Sequence, residues 1–197
     1  EFIDGNAIEM VRRYSQVPLP TDAGALLMIE VDGFDAAMAP QIESIRSAAE
    51  NPGLLSFSIA SSDEEVEKLW ATRKALSPAL RKIAPKKINE DVVVPVTQLP
   101  KLIAGIDALS SRYELPIVNF GHAGNGNIHV NLLYNPDDPD QHHRAHACLD
   151  ALFTLVLDLK GTLSGEHGVG IEKRDYVERE IDPVSLSLMA KIKAQFD

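Results

Sequence analysis

The sequence predicts an α+β fold: a ferredoxin-like, split βαβ arrangement, doubled or extended, whose antiparallel sheet is covered by helices. Three observations lead there. Strand-like and helix-like segments follow the order βαβ, α, βαββ and then helices, which suits α+β better than a regular βα alternation. The strand segments are apolar on one side rather than continuously, as antiparallel strands with one core face are. No glycine-rich strand-to-helix turn is placed to hold a dinucleotide, which makes a doubly wound parallel sheet the weaker alternative.

Residues 24–31, GALLMIEV, form the first strand, and a helical pattern follows over 36–49. Asn51-Pro52-Gly53 closes that helix, and a second strand returns over 54–60. Ser62-x-x-Glu65 is a capping-box signature opening the helix that carries Trp70 and Arg73. Pro78 interrupts that helix or begins its second half. A third strand spans 87–94 and a helix 99–113; strands four and five occupy 115–121 and 127–134. The helix over 142–160 ends at Gly161, placed as a left-handed cap. Asp182-Pro183 starts the last helix, with proline at the first helical position.

Composition narrows the function classes. At 197 residues with 45% hydrophobic and 24% charged side chains, the chain can bury a sizeable core. Nineteen basic against 29 acidic residues give a net charge of −10, which argues against nucleic acid as a partner. No run approaches the ~18 apolar residues of a transmembrane segment. Cys148, the single cysteine, excludes an internal disulfide and fits a reducing, cytoplasmic setting as a plain core residue. Glu1 is preceded by no methionine and followed by no basic leader, so a processed or excised piece is expected.

The stretch 119–131, NFGHAGNGNIHVN, carries two of the six histidines around a turn. Asn125-Gly126 is the strongest two-residue hairpin signal, because a type I′ turn needs positive φ at both positions. With those two residues as the turn, His122 faces His129 directly, on one sheet face, with Cβ atoms roughly 4.5–5.5 Å apart. Two imidazoles at that spacing can converge on one ion, and Asn131 shares the face of His129. The plain alternative is a pair of hydrogen-bonded strand histidines.

A second segment, 161–170, GTLSGEHGVG, is too glycine-rich for a regular element. Gly165 and Gly168 let the backbone bend or come close to a flat ligand such as a cofactor ring. Within it Glu166 and His167 are adjacent, and two histidines plus a carboxylate make a catalytic-type site for a divalent ion with positions left open. Neighbours on an extended chain point to opposite sides, so the segment must bend for both to face inward. His142, His143 and His146 read as the solvated start of a helix.

Together, GHAGNGNIHVN and GTLSGEHGVGIEKRDYV resemble the C-terminal, substrate or cap, domain of the FAD-linked oxidases. That group contains D-lactate dehydrogenase, the glycolate oxidase flavin subunit and D-2-hydroxyglutarate dehydrogenase, within the vanillyl-alcohol-oxidase-like superfamily. LWATRKALSPAL (69–80) and INEDVVVP (88–95) fit the same group in the same order, so the resemblance covers nearly the whole chain. It implies a partner FAD-binding domain in the parent chain, an external electron acceptor and a small 2-hydroxy-acid substrate oxidised to the 2-oxo acid. It also implies FAD and a divalent ion, zinc or manganese, held by His122, His129 and Glu166. By the same resemblance His167 is the general base, Arg73 holds the substrate carboxylate and Asn131 lines the pocket. Ser77 and Asn89 stand where a threonine and a lysine gripping a distal carboxylate are expected, which weighs against 2-hydroxyglutarate itself. Alone, Arg73 reads as a surface ion pair with Glu65 or Glu67.

The expected domain content is therefore one cap domain over 1–197, inactive without flavin, and prone to self-association through apolar surface left uncovered. A peripheral link to the membrane, through the electron acceptor, is part of that expectation. Two other readings stay open: a stand-alone divalent-metal hydrolase, and a non-catalytic ligand-binding module.

Overall fold

The computed structural model describes residues 1–14, 19 and 21–196, in two compact units, 1–82 and 83–197. In the first, β1 (Phe2–Asp4) pairs antiparallel with β2 (Ala25–Leu27), Ile3 opposite Leu26. Between them runs α1 (Gly5–Tyr14), whose Ala7, Ile8, Met10 and Val11 are buried. The Asp4 carboxylate accepts from the Ala7 N–H at 2.7 Å and so caps the helix start. β1 is too short to be legible in the sequence, whereas α1 has apolar Ala7, Ile8, Met10 and Val11 at helical spacing; the strand expected over 24–31 contracts to three residues.

Two helices complete this unit, α2 (Asp35–Ala49) and α3 (Asp63–Ile83). The capping signature forms in half: the Ser62 hydroxyl accepts from the Glu65 N–H at 3.3 Å, while the Glu65 carboxylate accepts from the N–H of Ser61, one residue before the cap, at 2.8 Å. α3 continues through Pro78 without a break. The strand expected over 54–60 does not form; that stretch has no ladder among the described residues. Its Phe57 ring instead lies under the Arg46 guanidinium of α2, 4.6 Å from ring centre to the cation.

The second unit holds β3 (Lys86–Val93), α4 (Leu99–Tyr113), β4 (Ile117–His122), β5 (Asn127–Tyr134), α5 (Pro139–Asp158) and α6 (Pro183–Lys193). β5 is central and antiparallel to both β3 and β4. The outer two are therefore parallel to each other and joined through α4, which is the split βαβ unit expected. Helices α4 and α5 pack on each other and on the sheet, with Leu102, Ile106, Phe153 and Val156 fully buried. Alternation along β5 divides its side chains: Ile128, Val130 and Leu132 share one face, Asn127, His129 and Asn131 the other. All are buried.

After α5 the chain returns beside β3 through one antiparallel bridge, Val93 to Thr162, where a fourth strand of the motif would lie. The left-handed residue ending α5 is Lys160, at φ +62, and not Gly161 as the sequence suggests. Gly161 serves close approach instead: a Cβ there would sit 2.2 Å from the Val93 carbonyl oxygen.

At its other end α5 is capped by Asp138, whose Oδ1 accepts from the N–H groups of Asp140 and Gln141 at 3.0 and 3.2 Å. Asp138→Ala should lower stability by removing the acceptor for two N–H groups at the helix start. A urea titration checks it: the midpoint should fall with the slope unchanged. None of the described helices is long and apolar enough to cross a membrane.

Candidate functional site

The hairpin between β4 and β5 is wider than the sequence suggests. Residues Ala123–Asn125 form a short 3-10 turn, and Gly126 closes it in the left-handed region at φ +73, its N–H bonded to the Ala123 carbonyl at 3.0 Å. The loop thus has four residues, not the two of a type I′ turn. His122 pairs with Asn127 and His129 with Phe120, so the two histidines are diagonal rather than directly opposed. The reason is non-local. Gly126 is held against the residue following β3, its carbonyl accepting from the Val94 N–H at 3.1 Å. Its missing side chain makes the contact possible, since a Cβ would lie 1.9 Å from the Val94 oxygen. A shift of this size keeps the parity of the strand, so both imidazoles still share a face, with ring centres 5.4 Å apart.

The glycine-rich segment bends as required, and one residue that sequence reasoning overlooked does the bending. Asp91 lies on β3 directly opposite His129, with 0% exposure. Its Oδ2 accepts from three consecutive backbone N–H groups, those of Gly165, Glu166 and His167, at 2.9, 2.6 and 2.7 Å. Its Oδ1 accepts from the buried Lys173 ammonium, whose Nζ also lies 3.3 Å from Glu90 Oε2. Burial alone would raise the Asp91 carboxyl. The His167 N–H, the Lys173 ammonium and the Glu166 N–H outweigh it and hold the group well below the usual carboxylate range. Glu90 behaves oppositely: burial raises it, against the pull of Lys173. The only sequence signal for Asp91 is a charged pair, Glu90-Asp91, beside three valines in a strand. Nothing local marks Lys173.

With the segment folded over the hairpin, Glu166 Oε1 lies 3.2 Å from His129 Nε2, 3.8 Å from His122 Nε2 and 3.9 Å from His167 Nε2. The His129 and His167 rings stack, 5.4 Å apart and 13° from parallel. His122, His129 and Glu166 offer donor atoms that all fall within 4.8 Å of one another; among the described residues no other set of three or more such ligands forms. His167 Nδ1 is 3.6 Å from Asp91 Oδ1.

Asn131 is fully buried and holds backbone: its Nδ2 donates to the Val118 and His129 carbonyls, each at 3.2 Å. Its Oδ1 accepts from Asn89 Nδ2 at 2.9 Å and Lys87 Nζ at 3.3 Å. In the first unit, Arg73 lies on α3 and pairs with the Glu1 carboxylate rather than with Glu65 or Glu67; Ser77 is exposed one turn later. Gly165 gives up its side-chain space to Asn127 and Val93, which a Cβ would meet at 2.6 and 2.7 Å. Gly168, at φ +78, borders open space. His142, His143 and His146 are exposed on the first turns of α5, with the rings of His142 and His146 4.6 Å apart.

Two imidazoles and a carboxylate at this spacing suit a borderline divalent ion, and the adjoining imidazole of His167 can accept a proton. Comparison with known proteins agrees in class. Glycolate oxidase subunit GlcD of Bacillus subtilis is 31% identical over 197 residues, covering 100% of this chain and 42% of that protein. D-2-hydroxyglutarate dehydrogenase of Stutzerimonas stutzeri is 31% identical over 205 residues, covering 100% and 44%. A probable mitochondrial D-lactate dehydrogenase of Danio rerio is 29% identical over 201 residues, covering 100% and 40%. The chain thus spans about two fifths of the length of these relatives. All of it, residues 1–197, matches the family described as FAD linked oxidases, C-terminal domain, and the chain belongs to that family.

Proposed function

We propose that this chain is the substrate- and metal-binding cap domain of a flavin-dependent dehydrogenase that oxidises a D-2-hydroxy acid to the 2-oxo acid. The observation that carries the reading is the convergence of His122, His129 and Glu166 within 4.8 Å, with His167 against them. That donor set fits zinc or manganese and leaves coordination positions open. An ion held there supplies Lewis acidity toward the substrate hydroxyl. FAD, held mainly by the rest of the protein, supplies the acceptor for the Cα hydride, and an external electron acceptor completes the cycle.

This chain's own residues do the remaining work. His167 takes the hydroxyl proton at Nε2, its Nδ1 side being turned toward Asp91. By likeness to the family, Arg73 is assigned the substrate carboxylate, a role its planar fork suits as a lysine would not. Asn89 and Asn131, bonded to each other, stand on the same sheet face as His129. Ser77 and Asn89, lacking the pair expected for a distal carboxylate, favour a short 2-hydroxy monocarboxylate. Of the two loop glycines, Gly168 is better placed than Gly165 to lie close to a flat ring, because its side-chain position is open.

The test uses the intact protein with D-lactate, glycolate and D-2-hydroxyglutarate and a dye as electron acceptor. His167→Ala should lower kcat by roughly 10²–10⁴-fold, with flavin content unchanged. Undiminished turnover would remove the assigned base. Ester or amide hydrolysis by metal-loaded, flavin-free protein would instead favour a hydrolase.

A further inference from the structure

We propose that Asp91 is the positioning residue of this site: it folds the 165–167 segment over the hairpin so that Glu166 and His167 reach His129 together, with Lys173 locking it in place. The inference rests on the metal reading of His122, His129 and Glu166.

An extended chain presents neighbouring side chains to opposite sides, so Glu166 and His167 meet one ring only if the backbone curls. Three successive N–H groups pointing at one oxygen are such a curl, an anion-binding concavity occupied by a side chain of the same chain. The anion is registered to the ligands, because Asp91 is the direct cross-strand partner of His129. A buried carboxylate tolerates this position only when fully bonded. Lys173 supplies the compensating charge, itself 4% exposed. The arrangement is that of an outer-shell partner: Asp91 offers no oxygen to the three-ligand cluster, yet holds one ligand's backbone and lies beside the proton acceptor.

The test compares the full-length parent with Asp91→Asn and with Asp91→Asn plus Lys173→Gln. The double change keeps the shape and replaces the Asp91–Lys173 ion pair by a neutral one, so no ammonium is left buried without a partner, and Glu90, whose carboxyl burial already raises, is left to take up a proton. Two readouts are taken: amide hydrogen exchange at 165–167, and Co²⁺ binding followed by its visible absorption. In the parent the three amides should be protected. In the folded double variant the Glu166 and His167 amides should exchange at least tenfold faster, that of Gly165 less so because it also donates to the Asp91 main-chain carbonyl at 2.8 Å, and Co²⁺ affinity should fall ~10–100-fold. In a Glu166→Gln background the same double change should cost less than threefold in affinity, because the ligand it positions is already gone.

Unprotected amides in the parent, or protection unchanged in the double variant, overturn the role of Asp91 whatever the ion does. Equal losses of Co²⁺ affinity in both backgrounds also overturn it, since Asp91 would then act on the fold at large. A parent that binds no Co²⁺ overturns the metal reading instead. A parent that binds, with a double variant that binds as tightly, overturns only the positioning role.

Discussion

His129→Ala should abolish divalent-ion retention, weakening Zn²⁺ or Mn²⁺ binding by at least ~100-fold. Loss of an outer-shell partner alone costs ~10–100-fold, and His129 is placed as a direct ligand. It is also the ligand at the centre: its Nε2 comes nearer Glu166 than either other imidazole does, and its ring lies 5.4 Å from both the His122 and His167 rings. His122 and Glu166 would remain, but their side chains are 45% and 47% exposed. Equilibrium dialysis with metal analysis reads the loss directly. His122→Ala is the companion variant. It should lower affinity too but cost less stability, since the His122 side chain is 45% exposed, whereas His129 is only 7% exposed beside Phe120. Full metal content in His129→Ala would place the ion elsewhere.

Gly126→Ala should destabilise the protein by about 3 kcal/mol. Left-handed backbone costs an alanine ~1–2 kcal/mol. The added Cβ would also press on a backbone oxygen 1.9 Å away, which cannot rotate aside as a side-chain tip can. Relief requires separating Gly126 from Val94 and losing their hydrogen bond, about 1 kcal/mol more. Gly124→Ala, two residues earlier in the same loop, is the control. Nothing lies within 4 Å of its Cβ position and its φ is ordinary, so it should be neutral or slightly stabilising. Thermal melts of the two variants measure the difference, and equal melting temperatures would contradict the loop as described. Because the contact with Val94 sets the width of the turn, Gly126→Ala should weaken metal binding as well.

How legible this was depended on how local each cause is. Helix α4 and strand β5 fall on the residues read from the sequence, because the alternation N-I-H-V-N-L and the spacing of Leu102 and Ile106 state their own periods. The grouping of His122 with His129 survived a wrong turn assignment, since the error preserved strand parity. The turn type itself was not legible, because Val94 decides it from another strand. Residues 54–60 have β-type composition but lack a ladder among the described residues, and three-residue β1 is too short to announce itself. Asp91 illustrates the limit best. Its neighbours in the sequence are an acid and three valines, and its meaning appears only when the strand register sets it opposite His129 and the glycine segment arrives.

The contact between Asp91 and Glu166 joins positions 75 residues apart. Everything between them, the hairpin and the helices α4 and α5 included, is enclosed as in a cross-linked ring closed by hydrogen bonds instead of sulfur. The Val93–Thr162 bridge closes nearly the same ring with two backbone hydrogen bonds of its own, so loosening the clasp disorders the chemical centre while the domain around it stays closed.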